Sequence, residues 1–312
     1  MKTYLIIGNS AAGIAAAQAI RKADREAAIT IISDEPYPSY CRCLITNFLS
    51  GDIKESGVIY RDSTFFKENN IEVLLNNKVI ELRAKKNTVV VEEKDGSDEK
   101  KKKQLEYDYL LLANGASPKF PDIKGIQKRG VFCFRTMDDA KKILERLPVT
   151  TTACVLGGGL IGLKAAYALR KRGVEVKVIV RSDRVLSQVL DKEAADMFGQ
   201  RIQENGIEVV TGTDVSEIIG NGDVKAVRLD KGKVIGCSIV VVGKGVQPNI
   251  DLVKETEIKV DEGILVDEYM GTAIPNIFAA GDVTQTYDPA LDQNVVNALW
   301  PNAVEQGKIA GA

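Results

Sequence analysis

The sequence predicts an α/β fold: two Rossmann-like dinucleotide-binding domains of the three-layer ββα type, one inserted into the other. Three observations predict it. An apolar run, Tyr4-Leu5-Ile6-Ile7, enters a glycine-bearing turn, Gly8-Asn9-Ser10-Ala11-Ala12-Gly13, followed by a small-residue helix. Cys154-Val155-Leu156 repeats the pattern into Gly157-Gly158-Gly159-Leu160-Ile161-Gly162. Two turn-rich segments, Asn114-Gly115-Ala116-Ser117-Pro118 and Gly243-Lys244-Gly245-Val246-Gln247-Pro248-Asn249, bracket the second copy and read as crossings between domains.

The first turn fills the dinucleotide fingerprint G-x-G-x-x-G, except that Ser10 stands at the middle glycine. Gly8 lets the chain turn sharply out of the strand, and Gly13 lets the helix pack close to the sheet. Between them, N–H groups at the helix start face outward, where a pyrophosphate meets unpaired donors and the positive end of the helix dipole. A serine at the middle slot adds one hydroxyl and little bulk. The next strand, residues 28–32, ends in Ser33-Asp34-Glu35, about 20 residues past the turn, where a carboxylate reaches ribose hydroxyls. The second copy carries all three glycines; a helix over 160–172, stopped by Gly173, and a strand over 174–180 follow.

After Glu35 a proline-rich loop gives way to a helix near residue 43. A strand is expected over 71–75 and antiparallel strands over 79–82 and 88–93. The charged run 94–103 reads as a solvated hairpin tip. Residues 109–113 form a buried strand ending at the first crossing, with Ala113, Asn114 and Gly115 at its mouth. A helix over 138–147 precedes the second turn. A helix over 197–204 leads to a strand at 207–210, and β-rich stretches cover 224–229 and 238–242. The strand 277–279 ends in Ala280-Gly281-Asp282, and a helix starts near Asn302. One domain is therefore discontinuous, 1–117 with 246–312, and 118–245 is inserted.

A chain of 312 residues is ample for two domains, and its 45% hydrophobic content with a formal charge of −1 describes an ordinary globular protein. That balance gives no basic field for nucleic acid, and no apolar stretch approaches the ~20 residues of a membrane span. Five scattered cysteines fit a reducing cytoplasm better than a disulfide framework. The absence of histidine removes His-based acid–base chemistry, Ser-His-Asp triads and most zinc sites.

Taken in order, the turn at 8–13, the stretch Leu111-Leu112-Ala113-Asn114-Gly115-Ala116-Ser117-Pro118, the turn at 157–162 and Thr272-Ala273-Ile274-Pro275-Asn276-Ile277-Phe278-Ala279-Ala280-Gly281-Asp282 resemble the markers of the two-dinucleotide flavoproteins. The chain looks most like the NADH oxidase, coenzyme A-disulfide reductase, rubredoxin reductase and nitrite reductase-like branch of the pyridine nucleotide-disulfide oxidoreductases. The resemblance implies FAD in the outer domain and NADH or NADPH in the inserted one. Hydride then passes from nicotinamide to flavin, and electrons go on to a small redox protein, a low-molecular-weight disulfide or oxygen. The alternative is a flavoprotein subunit or nucleotide and redox sensor without acceptor chemistry of its own. By resemblance, FAD pyrophosphate lies on Gly8, Asn9, Ser10, Ala11, Ala12 and Gly13, and ribose near Asp34 and Glu35. The resemblance also places adenine near the Val79 backbone, Arg42 and Arg135 toward the flavin, and Asp282 on the ribityl chain, aided by a helix that follows it. A dimer is expected from the same resemblance, with the interface domain of about a hundred residues that usually makes it absent from this chain.

The departures from the branch concern specificity. Where its second unit usually ends a strand in Glu, this chain has Val180, followed by Arg181, with Arg184 three residues on. Loss of the acid and gain of a guanidinium favour NADPH over NADH, because arginine pairs a 2′-phosphate bidentately. Lys164 stands where Glu is usual after Ile-Gly-x, placing a cation beside the nicotinamide. Cys43 falls where NADH oxidases and coenzyme A-disulfide reductases carry a single redox cysteine at a helix start, a position that favours thiolate. A packing cysteine is the other reading of Cys43. Leu44-Ile45 lacks the glycine usual after that cysteine, and Cys41 would bridge to it only with strain.

Overall fold

The structure, a computed structural model, describes residues 1–94 and 101–312. The expected hairpin tip lies mostly outside the described residues. Two five-stranded parallel sheets organise the rest. Their strands, in chain order, are β1 (Thr3–Ile7), β2 (Ala28–Ile32), β3 (Ile71–Leu74), β4 (Tyr109–Leu112), β5 (Val131–Cys133), β6 (Thr152–Leu156), β7 (Glu175–Ile179), β8 (Ile207–Val210), β9 (Ile239–Val242) and β10 (Ile277–Ala279). The first sheet has the order β10-β4-β1-β2-β3 and the second β5-β9-β6-β7-β8. The helices are α1 (Ala11–Ala23), α2 (Ile45–Ser50), α3 (Ser63–Glu68), α4 (Met137–Arg146), α5 (Leu160–Lys171), α6 (Lys192–Glu204) and α7 (Trp300–Ala310).

The chain forms two compact units. The first comprises residues 1–41, 59–117 and 247–312; the second comprises 42–58 and 118–246. The sequence reading kept 42–58 with the first domain. These residues instead pack with the second, because α2 lies against α4 and α5. Strands over Ser39–Tyr40 and Ile59–Arg61 pair antiparallel at the base of the excursion, so the chain leaves and re-enters the first unit at one place.

In the first unit, period-two alternation sends side chains to two cores. Ile6, Ile29, Ile31 and Leu111 face α1, while Leu5, Ile7, Leu110 and Leu112 face an antiparallel meander through Leu82, Val89 and Val91. In-register pairing of Ile6 with Ile31 and with Leu111 keeps each set on its own face. The meander, Asn77–Arg83, Thr88–Glu93 and Lys102–Glu106, supplies the outer β layer. On the helical side, α7 approaches α1 so closely that a Cβ at Gly307 would sit 2.2 Å from the Ala12 carbonyl, and one at Gly311 2.5 Å from that of Ala16. The second unit repeats the layering, with Cys154, Leu156, Val240 and Val242 facing a meander over Val215–Ile219, Ala226–Leu229 and Val234–Gly236.

Local chemistry sets the helix ends. Thr136 and Asp139 form a reciprocal capping box that starts α4 at Met137. Asp191 accepts from the Ala194 N–H at 2.9 Å, so α6 starts at Lys192, five residues before the apolar signal at Met197. Asp282 is followed by a strand, Thr284–Asp288, and not by the helix expected there; α7 begins only at Trp300, with Pro301 in its first turn.

One guanidinium ties this unit together beneath α1. Arg21 donates to the carbonyls of Asn69 (2.8 Å), Asp24 (3.2 Å), Arg25 (2.7 Å), Ala27 (2.8 Å) and Asn70 (2.9 Å), fixing the end of α1 and the turn into β3. Replacement by methionine keeps the stem and leaves these acceptors to water. Arg21→Met is expected to lower stability by about 2–3 kcal/mol, read as a reduced urea midpoint at unchanged slope.

Candidate functional site

The two units present the same local construction at the carboxyl ends of their strands. In the first, Gly8 adopts φ +122°, and a Cβ on it would lie 2.1 Å from the Ala113 carbonyl oxygen; one on Gly13 would lie 1.9 Å from the Gly8 carbonyl. In the second, Gly157 has φ +114° and would meet the Gly243 carbonyl at 2.3 Å, while Gly162 would meet that of Gly157 at 2.1 Å. The first glycine therefore touches the end of the neighbouring strand, and the last touches the first. Space remains at the middle slot, since a Cβ on Gly159 would find no atom within 4 Å. Ser10 occupies the matching slot of the first turn without strain: its φ is −125°, and its side chain makes no capping bond to α1.

Around the first cradle, Asn9 has both side-chain amide atoms buried without a hydrogen-bond partner. Asp34 is exposed at the end of β2, where Lys94 reaches its carboxylate at 3.5 Å. The Glu35 carboxylate accepts from the Tyr40 hydroxyl at 2.6 Å, and its backbone N–H donates to the Ser33 hydroxyl at 3.3 Å. Val79 lies at a shift of register in the meander. Ala113, Asn114 and Gly115 form the mouth of β4. There Asn114 Nδ2 donates to the Asn249 carbonyl at 2.8 Å, and Asn249 Nδ2 donates back to that of Asn114 at 2.7 Å, leaving Asn114 Oδ1 buried without a partner. Gly281 has φ +85° beside Ala12, and its N–H donates to the Gln306 side-chain oxygen of α7 at 2.7 Å. Asp282 is half-buried next to it.

Around the second cradle, Leu160 and Ile161 open α5 as exposed apolar residues, and Lys164 lies on the exposed face of the same helix. Val180 is buried against Gly158, where a Cβ would come within 2.8 Å of its methyl group. Arg181 is exposed at the strand end; Arg184 pairs with Asp183 at 3.1 Å, while its Nε is buried without a partner. The Leu186 N–H donates to the Gly158 carbonyl at 2.8 Å, so the arginine loop is fastened to the glycine turn. This unit also holds Arg42, whose Nη1 donates to the Arg135 carbonyl at 3.3 Å, and the Arg135 N–H donates to Asp139 at 2.9 Å.

Cys43 is exposed in a 3₁₀ turn, Arg42–Leu44, ahead of the six-residue α2. A helix that short has little dipole to lend the thiol, in contrast to the sequence expectation. Cys133, Cys154 and Cys237 are buried, and burial pushes the Cys133 thiol up to about 12. A hydrogen bond with Cys237 and burial push the Cys154 thiol up as well. Sequence reasoning missed Tyr40, Asn249 and Gln306, which aim or fasten site groups; Asn249 and Gln306 lie far along the chain from what they hold, and Tyr40 reaches Glu35 only through the fold of the loop between them.

Both cradles fit a dinucleotide. Their glycines leave no volume for side chains where backbone approaches backbone, and the buried Asn9 amide and Arg184 Nε have polar capacity that no described residue satisfies. Among the described residues no cluster of His, Cys, Asp or Glu suits a metal ion, and no helix is long and apolar enough to cross a membrane.

Comparison with known proteins agrees with this geometry. A family model described as pyridine nucleotide-disulphide oxidoreductase matches residues 2–307. The NADH oxidase of Methanocaldococcus jannaschii is 35% identical over 98% of this chain and 68% of its own length. The structure of a NAD-dependent persulfide reductase from A. fulgidus superposes with a TM-score of 0.93 at 34% identity; it covers 99% of this chain, which spans 58% of that one. An engineered water-forming NADPH oxidase bound to NADPH, derived from a Lactobacillus brevis NADH oxidase, gives 0.91 at 26% identity, covering 99% of this chain and 68% of that one. The chain therefore belongs to the pyridine nucleotide-disulphide oxidoreductase family, whose relatives named above are NAD(P)H-dependent oxidoreductases.

Proposed function

We propose that the protein is an FAD-dependent oxidoreductase that takes reducing equivalents from NADPH and delivers them to oxygen, a small disulfide or persulfide, or a small redox protein. The observation that carries this reading is the cradle built twice in one chain, each with its own strand-end carbonyl against its first glycine. One unit of this kind serves one dinucleotide; two serve a donor and a relay. The bound flavin supplies hydride acceptance from nicotinamide and onward electron release.

The chain's own residues bind and orient. In the first unit, the Gly8 N–H is spent on the Ile32 carbonyl, and the N–H groups at the start of α1 would hold a pyrophosphate, with the Asn9 amide adding donor and acceptor capacity beside them. Tyr40 holds the Glu35 carboxylate in one place, which suits a bond to ribose hydroxyls. Gln306 fixes the Gly281 N–H and with it the backbone leading into Asp282. In the second unit, Gly157 and Gly159 of the turn with Leu160, Ile161 and Gly162 of the first turn of α5 would hold the second pyrophosphate, and Gly243 lies against Gly157 beneath them. Lys164, exposed on the same helix, would place a positive charge beside a bound nicotinamide.

The coenzyme preference rests on Val180-Arg181-Ser182. Val180, and not a carboxylate, stands directly after β7, and Arg181 with Arg184 offers two guanidinium groups to a 2′-phosphate. In the engineered NADPH oxidase, three consecutive substitutions turn Asp-Ala-Met into Ala-Arg-Ser. Here an apolar residue followed by Arg-Ser is native, which supports NADPH.

Anaerobic addition of NADPH to the FAD-loaded protein should bleach the flavin band near ~450 nm; a yellow protein that never bleaches would sink the oxidoreductase reading. Arg181→Ala is expected to raise the KM for NADPH about 10- to 50-fold with little change for NADH, the loss of one charge-assisted contact. Gly162→Ala should weaken nucleotide binding about 10- to 100-fold by overpacking against the Gly157 carbonyl while FAD stays bound. For a disulfide acceptor, Cys43→Ser should cut turnover at least ~100-fold while leaving the rate of flavin reduction unchanged. Retained turnover would assign Cys43 to packing.

A further inference from the structure

We propose that Arg172 is a positioning residue: it fastens the segment bearing Arg42 and Cys43 to α5, so that occupancy of the 157–162 cradle is sensed at the Cys43 thiol. The inference rests on the reading of that cradle as a dinucleotide site and adds a route from it to the thiol.

The route is short. α5 begins at the cradle, with Gly159 as its N-cap, and ends about 18 Å away with Arg172 as its C-cap. Its inner face, Leu163, Ala165, Ala166 and Leu169, is fully embedded, so the helix is held as a rod. At the far end the Arg172 guanidinium donates Nε–H to the Leu49 carbonyl at 2.7 Å and reaches that of Phe48 at 3.5 Å. These carbonyls belong to the last turn of α2; that of Phe48 also accepts the Gly51 N–H at 3.1 Å, and that of Leu49 is an end acceptor that the neighbouring Arg172 satisfies.

Gly51 makes the seat for the guanidinium. It ends α2 at φ +86°, and a Cβ there would lie 2.9 Å from Arg172 Cζ. Beside it, Lys171 pairs with Asp52, which also accepts from the Ser50 hydroxyl at 2.8 Å; both partners hold the Asp52 carboxyl below its ordinary range. Lys141 of α4 pairs with Glu55 at 2.7 Å. At the other end of the segment, Arg42 donates to the Arg135 carbonyl. The lysine pairs lie at the surface, where such pairs contribute little. Arg172 is different, because it satisfies helix-end acceptors from a rigid neighbour. The turn that holds Cys43 runs directly into α2, and α2 transmits the placement that Arg172 sets at its far end.

The test follows alkylation of Cys43 by iodoacetamide in the FAD-loaded protein, read by peptide mass spectrometry, with and without saturating NADP⁺. In the wild type, NADP⁺ should change the Cys43 rate about five-fold or more, the scale of a local opening equilibrium. In Arg172→Ala that response should fall below about two-fold while NADP⁺ still binds, and Arg172→Lys, which can donate to one carbonyl, should restore part of it. Gly51→Ala displaces the guanidinium without altering α5 and should abolish the response likewise, which keeps the idea testable if Arg172→Ala does not fold. A wild-type-sized response in both variants, or none in the wild type despite NADP⁺ binding, overturns the inference alone. Failure of NADP⁺ to bind the wild type overturns the inference together with the dinucleotide reading beneath it.

Discussion

Everything functional in this protein hangs on a backbone-to-backbone approach: a glycine at the end of a central strand lying against the carbonyl that ends the strand beside it. Gly8 meets Ala113 in this way and Gly157 meets Gly243. The contact draws the strand end, the glycine turn and the neighbouring crossing into one corner, so the helix that follows starts at a fixed place with its N–H groups outward. A methyl group at any of the four touching glycines would push the corner apart. Burial of the aliphatic strands supplies the stability on which this corner rests, but any α/β sheet has such burial; the glycine contact turns a sheet into a nucleotide support.

The two copies differ where the constraint is absent, which is itself evidence for the constraint. The middle position is glycine in the second turn and serine in the first, and the open space around Gly159 shows why either is accepted. Position two is Gly158 in one turn, pressed against Val180, and Asn9 in the other. Similarity between the cradles is therefore confined to the positions where backbone meets backbone. The surrounding residues are left to specialise, toward a buried amide in one unit and paired arginines in the other.

Much of this was legible in the sequence because the relevant interactions are local or periodic. The strands through Ile6, Leu111, Val155 and Val241 announce themselves as apolar runs, and both glycine turns follow strands directly. What could not be read was set by partners distant in the chain. The start of α6 depends on Asp191, a cap lying six residues ahead of the first apolar signal the reading used. The strand after Asp282 replaces an expected helix because Thr284–Asp288 pairs with residues on both sides, Ile264–Leu265 and Gln293–Val295. The clasp between Asn114 and Asn249 joins residues 135 positions apart, and neither segment marks the other as its partner.

The most consequential of these unreadable features is the excursion over residues 42–58. Sequence continuity assigns it to the unit from which it emerges, yet α2 carries an apolar face, Ile45 and Leu49, that has to be buried, and the helices offering a surface are α4 and α5. The break falls between Cys41 and Arg42. Two cysteines two residues apart thus answer to different scaffolds: Cys41 continues a strand stem that closes on Ile59–Arg61, whereas Cys43 sits in the turn that leads into a helix gripped by Arg172. A thiol placed in this way is steered by the elements that bear the second cradle. What sets this thiol apart is then less the weak dipole of a six-residue helix than the arginine that holds that helix in position.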